Sequence, residues 1–417
     1  MFMTFKEWKN WIGDIHWSLR WFIFLILIRP IVDNFYYLKE ISPFLSPLYI
    51  IGVLTPIMVM YSIFHVKSPN YSRLDSYFKF LALLGGFSCA ALLVSDAFSL
   101  DSLDFLFKFM LPFILYFFCR RLIRSKRDLH GVFQTFSYSI LFVLIIFTYE
   151  LIFGPINIQM SRGLERFQGS YADVMNYAIY TSCGLLIVFY SFIEKPPAIP
   201  SRTRTILLIL AIIYSILILF NIHHTASYAV VFALGILFIF TVARANLGVG
   251  ILIISISALL LFITGPEIIS EQFKPLIETD IKVYEGEKEN EQLLHGRVGR
   301  WMSFLDYFNS KGSFVQFFGL PLGMDHPYSY IAKGSHNDFV RMLMVCGYIG
   351  LITYLLVNIN LCSRLFGYKI PFTFLGLGTV SIVFLYSVSL TPLLYATLLY
   401  VIMSVYAALA LPKHMMD

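Results

Sequence analysis

The sequence predicts an all-α, polytopic transmembrane helical bundle of about twelve spans, with one large extramembrane loop containing short helices. Three observations carry that expectation. The chain has 417 residues, of which 58% are hydrophobic and only 13% charged, with a mean hydropathy of +0.74; a soluble domain needs about twice that charge to cover its surface. It holds 41 Phe and 26 Tyr, an aromatic load suited to lipid-facing surfaces and interfacial belts. Its apolar residues fall into runs of the roughly 20 residues that cross a hydrocarbon core.

Taken in order, these runs centre near Leu25, Val53, Gly86, Leu111, Leu144, Gly184, Leu210, Leu234, Ile254, Val345, Val380 and Leu399. The first, over residues 17–32, lacks the short apolar core and small-residue cleavage site of a secretory leader, so it reads as a span that also directs insertion. The last two are divided only by the turn Ser389-Leu390-Thr391-Pro392. The expected organisation is therefore a membrane part over residues 1–264, a loop over residues 265–335 and a second membrane part over residues 336–417.

Positive charge orients the bundle. With the N-terminus taken as cytoplasmic, the inside loops hold Lys6, Lys9 and Arg20, then Lys67, Arg73 and Lys79. Next come the dense run Arg120, Arg121, Arg124, Lys126 and Arg127, then Lys195, Arg202, Arg204, Arg244, Arg364, Lys369 and Lys413. The opposite loop between spans three and four is acidic, with Asp96, Asp101 and Asp104; Arg29 and Lys39 are minor exceptions. Both termini are expected inside, and residues 265–335 outside.

Against that pattern, two outward loops keep arginines: Arg162 and Arg166 after span five, and Arg297 and Arg300 in the long loop. Outward arginines in a chain that otherwise keeps positive charge inside point to an anionic ligand; the alternative is contact with solvent or lipid phosphate. Around Arg297 the sequence reads His-Gly-Arg-Val-Gly-Arg-Trp, and Trp301, Phe304, Leu305 and Phe308 recur at helical spacing, which predicts an amphipathic helix. Arg297 and Arg300, three apart, share a face at its start, and forked guanidinium donors match phosphate oxygens.

Ser335 followed by Asp338 has the form of a capping box ahead of span ten, which would place His336 and Asn337 in its first turn. A helix N-terminus disfavours imidazolium, so His336 is a candidate general base; the alternative is a helix cap. His223 and His224 fill the turn between spans seven and eight, where neighbouring histidines do not share a helical face. The five cysteines all lie in or beside apolar runs with no C-x-x-C pair, which favours packing over zinc or disulfides. Glu150 and Asp33 lie near span ends, where water is expected to reach them. The chain has no H-E-x-x-H, P-loop or glycine-rich dinucleotide turn and no D-x-D acidic pair in an inside loop, which argues against ATP-driven and nucleotide-sugar chemistry.

Gly296-Arg297 with Trp301, then Gly319, Pro321 and Gly323, then His336-Asn337 and Gly347-Tyr-Ile-Gly350 form a pattern that resembles the O-antigen polymerase and O-antigen ligase superfamily. Arg166-Phe-Gln-Gly169 is similar to that family's R-x-x-G element before a middle span. The ligases often carry an arginine where this chain has His223-His-Thr-Ala-Ser227, a departure that favours a polymerase.

The resemblance implies a GT-C-like, multi-pass enzyme of the bacterial inner membrane with its large loop in the periplasm. The donor would be an undecaprenyl-pyrophosphate-linked glycan and the acceptor a second lipid-linked glycan. A ligase would transfer the finished chain to lipid A-core instead; a lipid-linked oligosaccharide transporter is the competitor from another class. No cofactor, metal or nucleic acid is expected, membrane lipids are, and a chain-length regulator is a candidate partner. His336 and Arg297 would be catalytic, with Arg166, Arg300, Arg162 and Asn337 binding substrate.

Overall fold

A computed structural model describes residues 2–35, 37–41, 46–67, 69–94, 100–161, 163–248, 250–251, 255, 274–319 and 336–416. The described residues are mostly helical. A short amphipathic helix α1 (Phe5–Asp14) opens on a capping box between Thr4 and Glu7. There follow α2 (Trp17–Asp33), α3 (Leu38–Ile41), α4 (Pro47–His65), α5 (Arg73–Leu93), α6 (Leu100–Leu122) and α7 (Lys126–Phe153). A hairpin of β1 (Ile158–Ser161) and β2 (Leu164–Phe167) leads into α8 (Met175–Glu194), α9 (Ser201–Ile222) and α10 (Thr225–Ala245). Three shorter helices, α11 (Lys274–Tyr284), α12 (Leu293–Asn309) and α13 (Ser313–Phe318), precede α14 (Asp338–Leu365), α15 (Ile370–Ser389) and α16 (Ala396–Leu409).

Helices pass through eleven of the twelve expected centres; the ninth, Ile254, lies outside the described residues. Among the described residues six helices are long and apolar enough to cross a membrane: α7, α8, α9, α10, α14 and α15. The chain is thus a helical, membrane-embedded protein. Large apolar side chains such as Ile145, Ile152, Ile209, Ile213, Phe232 and Phe240 point away from the bundle, a surface suited to lipid.

The innermost helix is α16. It packs on α2, α6, α7, α8, α14 and α15, and nearly every residue from Thr397 to Leu409 is buried. A helix apolar on all sides can face protein or lipid; here protein surrounds it. At the end of the bundle where the chain terminates, Arg120 enters the core. Its Nε donates to Asp75 Oδ1 at 3.0 Å and its Nη2 to the carbonyls of Asn70 and Ala410, which ties α5, α6 and the end of α16 together.

Three features depart from expectation. The loop after α7 is an antiparallel hairpin pairing Ile158 with Phe167 and Gln159 with Arg166, a β element absent from the all-α reading. Glu150 and Asp33 are buried. Glu150 is 1% exposed and accepts from Tyr177 Oη at 2.6 Å and from the amides of Ile156 and Gly169. Asp33 is buried and paired with Arg29 Nε at 2.7 Å, which also neutralises the exceptional outward arginine.

The third departure is inside α14. Gly347 has φ 67° and ψ −169°, so the helix breaks there and resumes. A Cβ on Gly347 would lie 2.3 Å from the carbonyl oxygen of Phe317, and one on Gly319 would lie 2.1 Å from that of Val345. The end of α13 therefore seats backbone-to-backbone in the break. Ser88 Oγ donates to the Val345 carbonyl at 3.0 Å, supplying a partner for a group the interrupted ladder releases.

Candidate functional site

The β-hairpin, α12 and the start of α14 come together at the end of α7 opposite the chain termini. Each presents a residue singled out in the sequence. Arg166 stands on β2, and its position is set by the turn that follows. Gly169, at φ 64°, donates its amide to Glu150 Oε1 at 3.0 Å. A Cβ there would sit 2.7 Å from the Tyr177 hydroxyl, so only glycine fits. Asn157 Nδ2 donates to the Gly169 carbonyl at 2.8 Å, closing the base of the hairpin. Arg166 is 8% exposed, and its Nε is buried without a hydrogen-bond partner.

Arg297 follows a left-handed Gly296, φ 76°, in the first turns of α12. The amide of Leu294 donates to Asp280 Oδ1 at 2.6 Å, which fixes the start of α12 against α11. The expected apolar stripe of α12 is present, with Phe304 and Phe308 buried. It packs on protein, Phe308 lying 5.4 Å edge-on to Tyr348 beside the helix break.

His336 lies just ahead of α14 in a left-handed conformation, φ 47°. The residue that caps the helix is Asn337: its Oδ1 accepts from the amides of Phe339 at 2.9 Å and Val340 at 3.0 Å, and its Nδ2 donates to the Val388 carbonyl at 3.1 Å. Neither residue is therefore in the first turn as the capping-box spacing implied. Asn337 is buried and serves the backbone, while His336 is presented outward. Asp338 pairs with the buried Arg341 and accepts from the amide of Leu393 at 3.1 Å, so His336 is anchored to the segment joining α15 to α16.

These groups feel one another's charge. Burial lowers the pKa of His336 from its ordinary value; the positive charges of Arg297 and Arg300 lower it further, and Asp173 opposes them. His336 is accessible, yet crowded enough for desolvation to be the largest influence. Burial likewise lowers Arg166, with Asp173 opposing and Arg297 adding to the shift. Arg297 is lowered by burial and by Arg300, with Asp280 opposing. Guanidiniums stay protonated throughout, so this is a cluster of cations in mutual repulsion. Among the described residues neither Arg166 nor Arg297 forms an ion pair. Such a cluster is stabilised by a polyanion.

Arg162 lies outside the described residues, as do Pro321, Gly323 and Ser335. His223 and His224 serve as caps. His223 closes α9 at φ 42°, and His224 Nδ1 accepts from the Ser227 amide at 3.3 Å; no group of three potential metal ligands occurs among the described residues. The structure adds groups that sequence reasoning passed over. Asp173 reaches Arg166 and His336 electrostatically and accepts from Tyr395 Oη at 3.4 Å. Tyr228, whose hydroxyl donates to the Leu219 carbonyl at 2.9 Å, adjoins Arg166. Asp173 left a signal, a carboxylate four residues beyond Gly169 in a cationic loop; Tyr228 and Tyr395 left none.

No model of a known protein family matches the chain, and no curated protein matches it.

Proposed function

We propose that this protein is a metal-independent, inverting glycosyltransferase that polymerises undecaprenyl-pyrophosphate-linked repeat units of O-antigen or a related surface polysaccharide. It would act at the periplasmic face of the bacterial inner membrane, with both termini cytoplasmic. The observation that carries this reading is the convergence of Arg166, Arg297, Arg300 and His336, from three segments far apart in sequence, into one cationic cluster in which burial and the arginines lower the pKa of the histidine. Those segments are the ones on which the resemblance to the polymerase and ligase superfamily rests.

In the proposed step the acceptor hydroxyl attacks the anomeric carbon from the face opposite the pyrophosphate. The hydroxyl proton passes to the neutral imidazole of His336. The new glycosidic C–O bond forms as the bond from C1 to the pyrophosphate oxygen breaks, and the lipid pyrophosphate leaves with the electron pair. Arg297, with Arg166 and Arg300, holds that pyrophosphate and offsets the charge developing on it; such terms are typically worth a factor of about 100 or more each. Asn337, buried under His336, holds the imidazole's backbone in place.

The test is a lipopolysaccharide gel of a deletion strain complemented with wild type, Arg297→Ala or His336→Ala, each at normal membrane abundance. The expected deletion phenotype is core carrying a single repeat unit, with the ladder restored by wild type and by neither variant. Bare core would instead identify a ligase, and an unchanged ladder would remove O-antigen as the product. A near-wild-type ladder from Arg297→Ala would sink its role with the leaving group.

A further inference from the structure

The dense basic run after α6 divides in the structure. Arg120 turns inward to Asp75, and Lys126 pairs with Glu194 at 2.6 Å. Arg121, Arg124 and Arg127 line a cavity of about 360 Å³ at the end of the bundle bearing the termini. That is the far end of α7, whose 28 residues at about 1.5 Å each set it about 40 Å from the hairpin of Arg166. We propose that this cavity binds a phosphate group, that of an anionic phospholipid headgroup.

Arg121 and Arg124 are fixed in place by carbonyls and, among the described residues, pair with no carboxylate. Arg124 donates from Nε to the Arg121 carbonyl at 3.0 Å and from Nη2 to the Lys67 carbonyl at 3.2 Å. Arg121 Nη1 donates to the Phe117 carbonyl at 3.2 Å, and its Nε is buried without a hydrogen-bond partner. Two carboxylates share the cavity. Asp128 is already engaged, accepting from the Arg124 amide, the Ser125 hydroxyl and Trp11 Nε1. Asp14 stands 4.0 Å from Arg127, with both side chains largely in solvent, and such a pair contributes little. The site is thus pre-oriented and net cationic, which suits forked binding of phosphate oxygens.

The walls choose the source. Trp11, Ile15, Leu19, Val66 and Leu122 form an apolar side of the same cavity. A free phosphate has no use for that surface, whereas the glycerol and first methylenes of a phospholipid would cover it. Basic pockets between membrane helices recognise anionic headgroups on these terms.

The experiment is native mass spectrometry of the full-length protein in detergent, titrated with phosphatidylglycerol, phosphatidylcholine or inorganic phosphate. Wild type is expected to retain one phosphatidylglycerol about tenfold more strongly than the Arg121→Gln/Arg124→Gln variant. Phosphatidylcholine should not separate the two proteins, and Arg202→Gln, on the exposed start of α9, should behave as wild type. Arg124→Lys, which keeps the charge and loses the fork, should fall between them and guards against a folding defect in the double variant. Equal retention by wild type and double variant, or an equal loss in Arg202→Gln, overturns the proposal. Displacement of the lipid by millimolar inorganic phosphate would overturn the lipid as the ligand.

Discussion

At the scale of single residues, His336 shows how neighbouring charges set the titration of a candidate general base. Its pKa is held below 6.5 by burial and by Arg297 and Arg300, and is raised by Asp173. A general base works only when deprotonated, so activity is expected to fall as pH drops through that depressed value. Removing a positive neighbour makes protonation easier and raises the pKa. Arg300→Gln should therefore move the acid limb of the pH–rate profile to higher pH. Asp173→Asn removes the charge that favours imidazolium and should move the limb to lower pH. Opposite displacements in a chain-extension assay with lipid-linked substrate would verify the arrangement; parallel displacements would contradict it. A histidine that merely capped α14 would give neither.

At the scale of elements, the break in α14 sets the register of everything above it. Gly347 adopts a backbone geometry essentially reserved for glycine and meets Phe317 backbone-to-backbone. Gly347→Ala should cost on the order of 2 kcal/mol or more, from strain and the displaced α13 together. Gly86 lies within helical α5 with open space where a Cβ would stand, so Gly86→Ala should be neutral or stabilise by about 0.5–1 kcal/mol. Thermal melts of the two variants in detergent would separate them. The helices themselves were legible because an apolar run of about 20 residues has few other outcomes.

The break was not legible. Gly347-Tyr-Ile-Gly350 has the spacing of a close helix–helix contact, and only the approach of α13, distant in sequence, turns the glycine into an interruption. The hairpin was hidden for a similar reason. Its strands are four residues each, too short for alternation to register, and what holds them is Glu150 on the neighbouring helix. Arg166, Arg297 and His336 could be named from charge placed against the prevailing gradient and from the resemblance. Their convergence could not, because it depends on how α12 packs against Tyr348. Asn337 was placed two positions wrong relative to the helix because Ser335 and Asn337 both carry side chains able to cap.

At the scale of the whole molecule, the basic residues gather at one end and the candidate site at the other. That asymmetry predicts a topology. Fluorescent-protein fusions at the N-terminus and after Met416 should fluoresce, and alkaline phosphatase fused after residue 285, just beyond α11, should be active. An inactive phosphatase at residue 285 together with a dark C-terminal fusion would reverse the orientation and with it the periplasmic placement of the site. The two charged regions also answer to different tests. Loss of lipid retention at Arg121 and Arg124 would leave the proposed chemistry at Arg297 untouched, so the two proposals stand or fall separately.

The ties from Asn337 to the Val388 carbonyl and from Asp338 to the Leu393 amide bear on how the protein is made. The chain leaves the ribosome with Arg166 first, Arg297 next and His336 after it, but the residues that hold His336 arrive later still. At roughly 5–20 residues per second, several seconds separate residue 336 from residue 393. During that interval the nascent polypeptide carries the reactive groups without the brace that aligns them. A product truncated anywhere before α16 should therefore be silent in the proposed chain-extension reaction, and activity would begin only once the segment around residue 393 has been made.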